Sequence, residues 1–363
     1  MSAQDSAFTQ FMEHLFAGAK LRRQEVRTFM DAILLSNLSD VRIASLLTAM
    51  RLTPLSQEIV LGALESLTQM GMKPPTSHHG KAQTKTTTLE FKRHKNLVDN
   101  SGTGGDGSNT FNISTMAAVV AAACGAKIAK FGTRSISSRC GSADVLEALG
   151  INLTRSVDAM QTQVDSMGFS YLYAPALFPA LQHLGVVRKS LGFHTIFDIL
   201  VPLANPAPLA GQLVGVYSPD IQILVARCLQ DLGRDRAIVV HSEDGLDEIS
   251  VCGPSRIIQL EDGQQTAETW TPGDFGIPTY RKDALRGAGI EENAQCFVNT
   301  LNGHNPGAVE DAVVINAAAT LWCASVVNSI KSGIDVAREA VRNGKASHAL
   351  DTWRKKSLES PSH

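Results

Sequence analysis

Apolar positions in the first 72 residues recur at the spacing of an α-helix. One predicted helical face carries Val26, Phe29, Met30, Ile33 and Leu34. Ser39 precedes a second apolar series that runs to Met50, and Thr53-Pro54, a capping residue followed by proline, predicts the start of a third helix. Because this segment shows no strand pattern, residues 1–72 are predicted to form a small helical domain.

The composition changes between residues 73 and 96, where apolar residues are few and Pro, Thr, Lys and His are common. Such a composition is typical of a polar linker or an insertion. His78-His79 is a candidate metal-binding pair, although an exposed pair of this kind is more often part of a solvated loop. The basic cluster from Lys92 to Lys95 could contact nucleic acid or an acidic partner, and a solvated basic turn is the simpler interpretation.

Beyond Leu97 short apolar runs alternate with helical patterns. Strands are predicted at 97–99, 127–130, 169–173, 212–217 and 237–241. Helices are predicted at 114–124, 143–149, 221–232 and 312–330, followed by an amphipathic C-terminal piece. Strands alternating with helices indicate an α/β fold with a mostly parallel central sheet covered on both faces.

The overall composition excludes several classes of protein. The 363 residues are 44% hydrophobic and 19% charged, which is enough apolar material for a large core and argues against disorder. The longest apolar run, 117–124, is far shorter than the roughly 20 residues that span a bilayer, and the first residues lack the features of a signal peptide. The six cysteines form no C-x-x-C pair and are interpreted as reduced core residues. We therefore expect a cytoplasmic protein with no membrane partner.

A glycine-rich segment, 101–115, lies between a predicted strand and a predicted helix. Its glycines let the backbone approach a ligand closely, and its hydroxyls and the following helix N-terminus supply donors for phosphate. It is neither a P-loop, since no Gly-Lys-Ser/Thr ends it, nor the dinucleotide fingerprint. A purely structural turn remains the alternative.

Two further polar segments follow strands. Residues 130–139 combine cations, hydroxyls and a glycine, which suits phosphate oxygens at the carboxyl end of a strand. Residues 241–250 contain adjacent carboxylates on a turn, and a metal held by one or two carboxylates, water and phosphates is the usual Mg²⁺ arrangement. Each segment alone is also compatible with an ordinary solvated loop.

Together these segments resemble the anthranilate phosphoribosyltransferase family, whose fold is related to that of pyrimidine nucleoside phosphorylases. The resemblance covers nearly the whole chain, through GTGGDGSNTFNIST, SSRCGSADVLEALGINL, VRKSLG, TIFDILVPLANPA, DGLDEIS and residues 315–319. It implies a helical domain completed by helices near 175–210, an α/β phosphoribosyltransferase domain over 97–363, an active site between them and a homodimer. It also implies Mg²⁺-dependent transfer of phosphoribose from phosphoribosyl pyrophosphate to anthranilate, in tryptophan biosynthesis.

The same resemblance assigns residue roles. Phosphoribosyl pyrophosphate would be bound by Gly102, Gly105, Asp106, Thr110, Asn112, Ile113, Ser114, Thr115, Lys130 and Ser142. Mg²⁺ would be held at Ser114, Asp247 and Glu248. The aromatic acceptor would lie against Gly102, Phe131, Thr133, Phe178 and Arg188. No catalytic base is assigned, because an aromatic amine needs none.

The departures from the family pattern lie in the acceptor half. Phe131, Thr133 and Phe178 replace two histidines and an asparagine, while Asp198 stands where asparagine is usual and Val201 where glycine is usual. Alternative hypotheses are therefore a different aromatic or heteroaromatic acceptor, phosphorolysis of nucleosides, or a non-catalytic nucleic-acid-binding paralogue. The balance of 33 Lys and Arg against 35 Asp and Glu argues against the last of these.

Overall fold

The protein is described from a computed structural model, which covers residues 3–35, 38–70, 91–134, 140–153 and 156–359. Its helices are α1 Ala3–Phe16, α2 Arg23–Leu34, α3 Asp40–Leu52, α4 Gln57–Met70, α5 Ile113–Ala123, α6 Ser142–Ala148, α7 Val157–Met167, α8 Ala174–Leu177, α9 Ala180–Leu191, α10 Ile196–Leu203, α11 Gln222–Asp231, α12 Ile290–Leu301, α13 Ala308–Cys323, α14 Ile330–Arg342 and α15 Lys345–Leu358. Its strands are β1 Leu97–Asp99, β2 Lys127–Gly132, β3 Phe169–Tyr173, β4 Gly211–Gly215, β5 Arg236–Ser242, β6 Ser255–Glu261 and β7 Gln264–Trp270.

The chain divides into two compact units, one formed by residues 1–88 and 174–206 and the other by 89–173 and 207–363. The first unit is helical. Helix α2 packs on α4, α9 packs on α3, and α10 packs on both α3 and α4. The backbone of α4 at Gly62 lies so close to α2 that a Cβ there would sit 2.5 Å from the carbonyl oxygen of Arg23.

The predicted start of the third helix is wrong by a few residues. Thr53 ends α3, where its N–H donates to the carbonyl oxygen of Met50 at 3.3 Å. Helix α4 begins only at Gln57, because Ser56 accepts the first hydrogen bonds from Ile59 and Val60. The pattern also gave no boundary for α1, whose bounds are Ala3 and Phe16.

The second unit is built on one sheet with the strand order β3-β2-β1-β4-β5-β6-β7. The first five strands of this order are parallel, whereas β6 and β7 pair antiparallel at one edge. The predicted α/β fold with a mostly parallel sheet and an N-terminal helical domain is confirmed. The β6–β7 hairpin escaped prediction because nearly all of β7 is polar and exposed, although Asp262-Gly263, both with positive φ, is a recognisable hairpin turn.

The strand order reverses at β1, which lies between β2 and β4. The chain places β2 and β3 on one side of β1, and it then places β4 to β7 on the other side. Connections at such a point leave in opposite directions and open a crevice at the carboxyl ends of the strands, where ligands bind in open α/β sheets. The glycine-rich segment follows β1, and the acidic turn follows β5.

Helix α13 is buried along its whole length and packs on α5, α14 and the sheet. The prediction of one helix over 312–330 is wrong. Helix α13 ends at Cys323, Ser325 adopts a positive φ of 54°, and α14 starts at Ile330 with Ser329 as its cap. A serine in the left-handed region interrupts the helical path, and apolar periodicity cannot detect it.

In the part of the chain that the structure describes, no helix is both long and apolar enough to cross a membrane.

The predicted linker 73–96 is described only from residue 91 onward, and His78-His79 lie outside the described residues. Its last residues are anchored on the second unit. His94 lies 2.8 Å from the carboxylate of Asp165, and the backbone N–H of Lys92 donates to Gln161 at 2.8 Å. These contacts attach the last residues of the predicted polar linker or insertion to α7.

Candidate functional site

The glycine-rich segment, which we call the substrate loop (101–112), begins directly after β1 and touches the end of β4. The N–H of Thr103 donates to the carbonyl oxygen of Gly215 at 2.9 Å, and its hydroxyl accepts from the N–H of Tyr217 at 3.0 Å. A Cβ on Gly102 would lie 2.6 Å from a carboxylate oxygen of Asp247, and one on Gly215 would collide with the Asp247 backbone. Glycine at 102 and 215 therefore allows the acidic turn to approach the loop.

Two carboxylates of the acidic turn (243–250) accept backbone N–H groups of the substrate loop and of the start of α5. Asp247 accepts from the N–H of Gly104 at 2.8 Å, and Glu248 accepts from the N–H of Ser114, at the start of α5, at 3.1 Å. Burial raises the pKa of both carboxyl groups, and repulsion by Asp106 adds to the effect at Asp247. The site thus has an excess of negative charge in a desolvated place, which is the environment that a divalent cation neutralises.

The acidic turn is held by a network of buried hydroxyls and one amide. Ser242 donates to the carbonyl oxygen of Glu248 at 2.6 Å and also contacts Ser255 at 2.6 Å. Asn316 of α13 accepts from the N–H of Ile249 at 3.0 Å and donates to the carbonyl oxygen of the same residue at 2.9 Å. Because these contacts fix the backbone on both sides of the turn, the carboxylates are held in place without a ligand.

The N-terminus of α5 carries several predicted phosphate ligands. Asn112 is the residue before the first helical turn, and Ile113 is buried. Thr115 is also buried, and its hydroxyl has no hydrogen-bond partner. A buried, unpartnered hydroxyl at a helix N-terminus is suited to an anionic oxygen. The side chain of Asp106 is engaged locally, where it accepts from the N–H of Ser108 at 3.0 Å and from its hydroxyl at 2.6 Å.

Lys130 lies at the end of β2 and is buried rather than exposed to an open cleft. Its ammonium donates to the carbonyl oxygen of Asn100 at 3.3 Å and to the side-chain oxygen of Asn100 at 3.1 Å. Burial lowers the pKa of Lys130, and the negative charges of Asp99, Glu248 and Asp247 oppose this shift. In the structure Lys130 therefore acts as an internal counter-charge that holds the start of the substrate loop.

The second polar segment is only partly described, because residues 135–139 lie outside the described residues. Arg134 is paired with Asp144 at 3.1 Å and Glu147 at 2.6 Å. Thr133 is half-buried, and its hydroxyl donates to the carbonyl oxygen of Arg134 at 2.9 Å. Ser142, at the start of α6, shares a 2.7 Å hydrogen bond with the hydroxyl of Tyr171.

The donor set of the second unit fits Mg²⁺ held partly by substrate. Among the described residues no group of three or more His, Cys, Asp or Glu side chains is arranged to hold a metal. Asp247 and Glu248 supply hard carboxylate oxygens, and Ser114 lies on the first turn of the neighbouring helix α5. Two carboxylates completed by water and phosphate oxygens is the coordination that Mg²⁺ commonly adopts.

The predicted acceptor residues Phe178 and Arg188 belong to the first unit, whereas Gly102, Phe131 and Thr133 belong to the second. Phe131 and Phe178 are both completely buried. The guanidinium of Arg188 donates to the carboxylate of Asp198 at 2.8 Å, while its Nε atom is buried and has no partner. Asp198 also accepts from the N–H of Thr195 at 2.7 Å, so its carboxylate is fixed at the start of α10.

Sequence reasoning missed several residues that build the site. Asp99 and Asn100 are buried at the end of β1, and the side chain of Asn100 donates to the carbonyl oxygen of Ser114 at 2.8 Å. Their position directly before the glycines was a usable signal. Asn316 was part of a quoted motif but received no role, because a polar residue in an alanine-rich helix does not indicate its distant partner.

Comparison with known protein families matches both units. Residues 9–71 match the helical bundle domain of a glycosyl transferase family, and residues 94–347 match the a/b domain of that family. The chain is 40% identical over 334 residues to an anthranilate phosphoribosyltransferase of Polynucleobacter necessarius, with 92% of this chain and 93% of that protein covered. It is 36% identical over 327 residues to the Nitrosomonas eutropha protein of the same name, covering 90% of this chain and 91% of the relative.

Solved structures agree with the sequence relatives. The anthranilate phosphoribosyltransferase of Thermus thermophilus superposes with a TM-score of 0.85 at 34% identity, over 96% of this chain and 99% of that one. A Saccharomyces cerevisiae anthranilate phosphoribosyltransferase in complex with PRPP and Mg has a TM-score of 0.83 at 23% identity, over 97% and 98% of the two chains. At that identity the yeast structure supports the fold alone.

Proposed function

Because this chain belongs to the anthranilate phosphoribosyltransferase family of glycosyltransferase enzymes, we propose that it transfers phosphoribose from phosphoribosyl pyrophosphate to the nitrogen of an aromatic amine, with anthranilate as the first acceptor to test. The family resemblance drawn from the sequence is thereby confirmed. The reaction would belong to tryptophan biosynthesis. The observation that carries the proposal is the meeting of the Asp247-Glu248 pair with the substrate loop and the start of α5.

The chemistry asks the protein to stabilise separated charge. The amine nitrogen forms a bond to C1 of ribose while the bond from C1 to the pyrophosphate oxygen breaks, and the amine then loses a proton to solvent. Positive charge develops on the sugar and negative charge on the leaving pyrophosphate. Backbone N–H groups of the substrate loop and of α5 are suited to bind that pyrophosphate, and preorganised donors of this kind lower the barrier by several kcal/mol.

A bound Mg²⁺ would supply positive charge that stabilises the leaving pyrophosphate. We assign Asp247 and Glu248 as its carboxylate ligands, with Ser114 beside them. Their raised pKa values support this assignment, because both carboxylates need a counter-charge beyond the one that Lys130 provides. Release of the N–H groups of Gly104 and Ser114, which Asp247 and Glu248 accept in this structure, would make both groups available as donors for phosphate.

The acceptor proposal rests on Arg188, whose unpartnered Nε supports contact with a bound ligand. Asp198 already neutralises much of the charge on this guanidinium. The pair favours a second candidate function, transfer to a less acidic aromatic or heteroaromatic nitrogen compound. Phe131 and Phe178, both buried, support the same candidate, because neither side chain has a polar atom that could bind the carboxylate of an acidic acceptor.

We further propose a homodimer formed through the helical unit. Its described surface exposes Phe16, Val41, Leu52 and Val186, which are each at least 65% exposed. Large apolar side chains concentrated on one surface are typical of a protein interface. We place the enzyme in the cytoplasm, a location supported by its six cysteines, none of which forms a disulfide bond.

Calorimetry with phosphoribosyl pyrophosphate and Mg²⁺, followed by a pyrophosphate-release assay with anthranilate, tests the proposal. We expect binding that requires Mg²⁺ and release of one pyrophosphate per amine consumed. Absence of binding at millimolar ligand would contradict a phosphoribosyltransferase. In that case salt-dependent retention on DNA would support the nucleic-acid-binding alternative.

A further inference from the structure

Residues 285–287, which we call the brace, run beside the substrate loop as a short antiparallel partner. Thr110 and Arg286 form a β-bridge. The N–H of Phe111 donates to the carbonyl oxygen of Leu285 at 3.2 Å, and the N–H of Gly287 donates to that of Asn109 at 2.8 Å. The backbone of the loop just before α5 is therefore hydrogen-bonded to a segment about 175 residues later in the chain.

Gly287 fits against the loop without room for a side chain. A Cβ on Gly287 would lie 2.7 Å from the carbonyl oxygen of Thr110 and 3.0 Å from the nitrogen of Phe111. Both of these are backbone atoms, so neither can move away by changing a rotamer. Gly287 is not among the residues with positive φ, and the close contact alone requires glycine there.

Asn293, buried on α12, connects the brace to the start of α5. Its side-chain oxygen accepts from the N–H of Ala288 at 2.9 Å, and its amide nitrogen lies 3.4 Å from the side-chain oxygen of Asn112. Asn112 in turn donates to the carbonyl oxygen of Cys140 at 3.2 Å. One buried amide thus contacts both the brace and the residue at which α5 begins.

The substrate loop needs such support because its own sequence is permissive. Gly104, Gly105 and Gly107 all have positive φ, and Asn109 has a φ of 50°, which is uncommon for a residue with a side chain. A free glycine-rich loop would lose much conformational entropy on binding a ligand. External hydrogen bonds at 109–112 remove part of that cost before the ligand arrives.

We propose that the brace, with Gly287 and Asn293 as positioning residues, orders the substrate loop for phosphoribosyl pyrophosphate. The inference deepens the proposed function and rests on it for the identity of the ligand. Neither residue needs to touch the substrate, because both act through the backbone and side chain of residues 109–112.

The test compares Gly287→Ala with Gly253→Ala, whose added methyl group would meet no atom within 4 Å. In the full-length free protein, hydrogen exchange of the amides of 104–112 is measured first. We expect faster exchange there in Gly287→Ala only, with little change in sheet amides. Calorimetry with Mg²⁺ should then give a Kd for phosphoribosyl pyrophosphate raised by about tenfold or more in Gly287→Ala, and unchanged in Gly253→Ala.

If Gly287→Ala does not fold, Asn293→Ala gives the same two readouts, with Thr300→Val at the far end of α12 as its control. Thr300 is equally buried and contacts Asn305 but not the loop. Unchanged loop exchange in a folded Gly287→Ala or Asn293→Ala protein would overturn the inference while leaving the proposed function intact. A wild-type protein that binds no phosphoribosyl pyrophosphate would instead refute the proposed function, and loop exchange alone would then decide whether the brace orders the loop.

Discussion

Glu248 illustrates how a single carboxyl group can oppose stability and serve binding. Burial raises its pKa, and repulsion by Asp247 raises it further. The folded state therefore favours the protonated form more than the unfolded chain does, so the stabilising contribution is present at low pH and is lost as pH rises through the raised pKa. To bind a metal ion Glu248 must be ionised, and in the metal-free site the ionised form is the costly one.

Glu248→Gln should therefore stabilise the metal-free protein at high pH. The amide can still accept the N–H of Ser114 but carries no charge, and we expect a gain on the order of 1 kcal/mol at pH 9 that vanishes toward pH 4. Mg²⁺-stimulated turnover should be lost. Denaturant unfolding at the two pH values measures the first effect, with Glu243→Gln, an exposed residue of the same turn, as the control. A loss of stability in Glu248→Gln at pH 9 would contradict the charge argument.

Asp198→Asn addresses the Arg188 ion pair. The amide can keep the N–H contact of Thr195, but it no longer neutralises the guanidinium. We expect kcat/KM for anthranilate to rise relative to that for its uncharged methyl ester, and stability to fall by about 1–3 kcal/mol. Competition assays with both acceptors measure the ratio. The control is Asp40→Asn, which changes an exposed contact with His183 and should leave the ratio unchanged. An unchanged ratio in Asp198→Asn would show that Arg188 does not select for acceptor charge.

At the scale of elements, α13 does more than fill the core. It is buried along all 16 residues, and one of its buried polar side chains, Asn316, binds both backbone groups of Ile249. A helix is a rigid support, so its contact with the acidic turn fixes the carboxylates more firmly than the turn alone would.

Asn316→Leu should leave the N–H and carbonyl oxygen of Ile249 unpaired. Since each buried orphan group costs about 1–3 kcal/mol, we expect the two to lower the free energy of unfolding by about 2–6 kcal/mol. The Mg²⁺ concentration at which half of the protein has bound Mg²⁺ should also rise, and calorimetry measures it. Thr320→Val, one turn further along α13, removes only a hydrogen bond to the helix backbone and is the control. Normal Mg²⁺ affinity in a folded Asn316→Leu protein would limit Asn316 to a packing role.

At the scale of the whole molecule, the proposed dimer depends on the exposed apolar side chains of the helical unit. Val41→Glu places a charge on that surface, where Val41 is 75% exposed, and we expect it to convert a dimer into a monomer without unfolding. Sedimentation or light scattering measures the mass, and Val336→Glu, at a half-exposed position in the other unit, is the control. A monomeric wild-type protein would refute the dimer.

The sequence alone determined the fold class, most strands and the three segments that carry the chemistry. These features are local: strands such as 169–173 follow from a short apolar run, and the substrate loop from glycines and hydroxyls that are adjacent in the chain. Boundaries that depend on a single backbone angle, as at Ser325, were not predictable from apolar spacing, and neither was the polar strand β7.

Only the tertiary structure decided which residues meet. Asp247 reaches Gly104 across 143 positions, Lys130 is buried against Asn100, and Arg188 is paired with Asp198. The brace and Asn293 carry no recognisable motif, because their effect lies in backbone hydrogen bonds to residues far away in the chain. Sequence patterns report what a residue can do, whereas burial and the partners brought together by folding set its charge state and what it is free to bind.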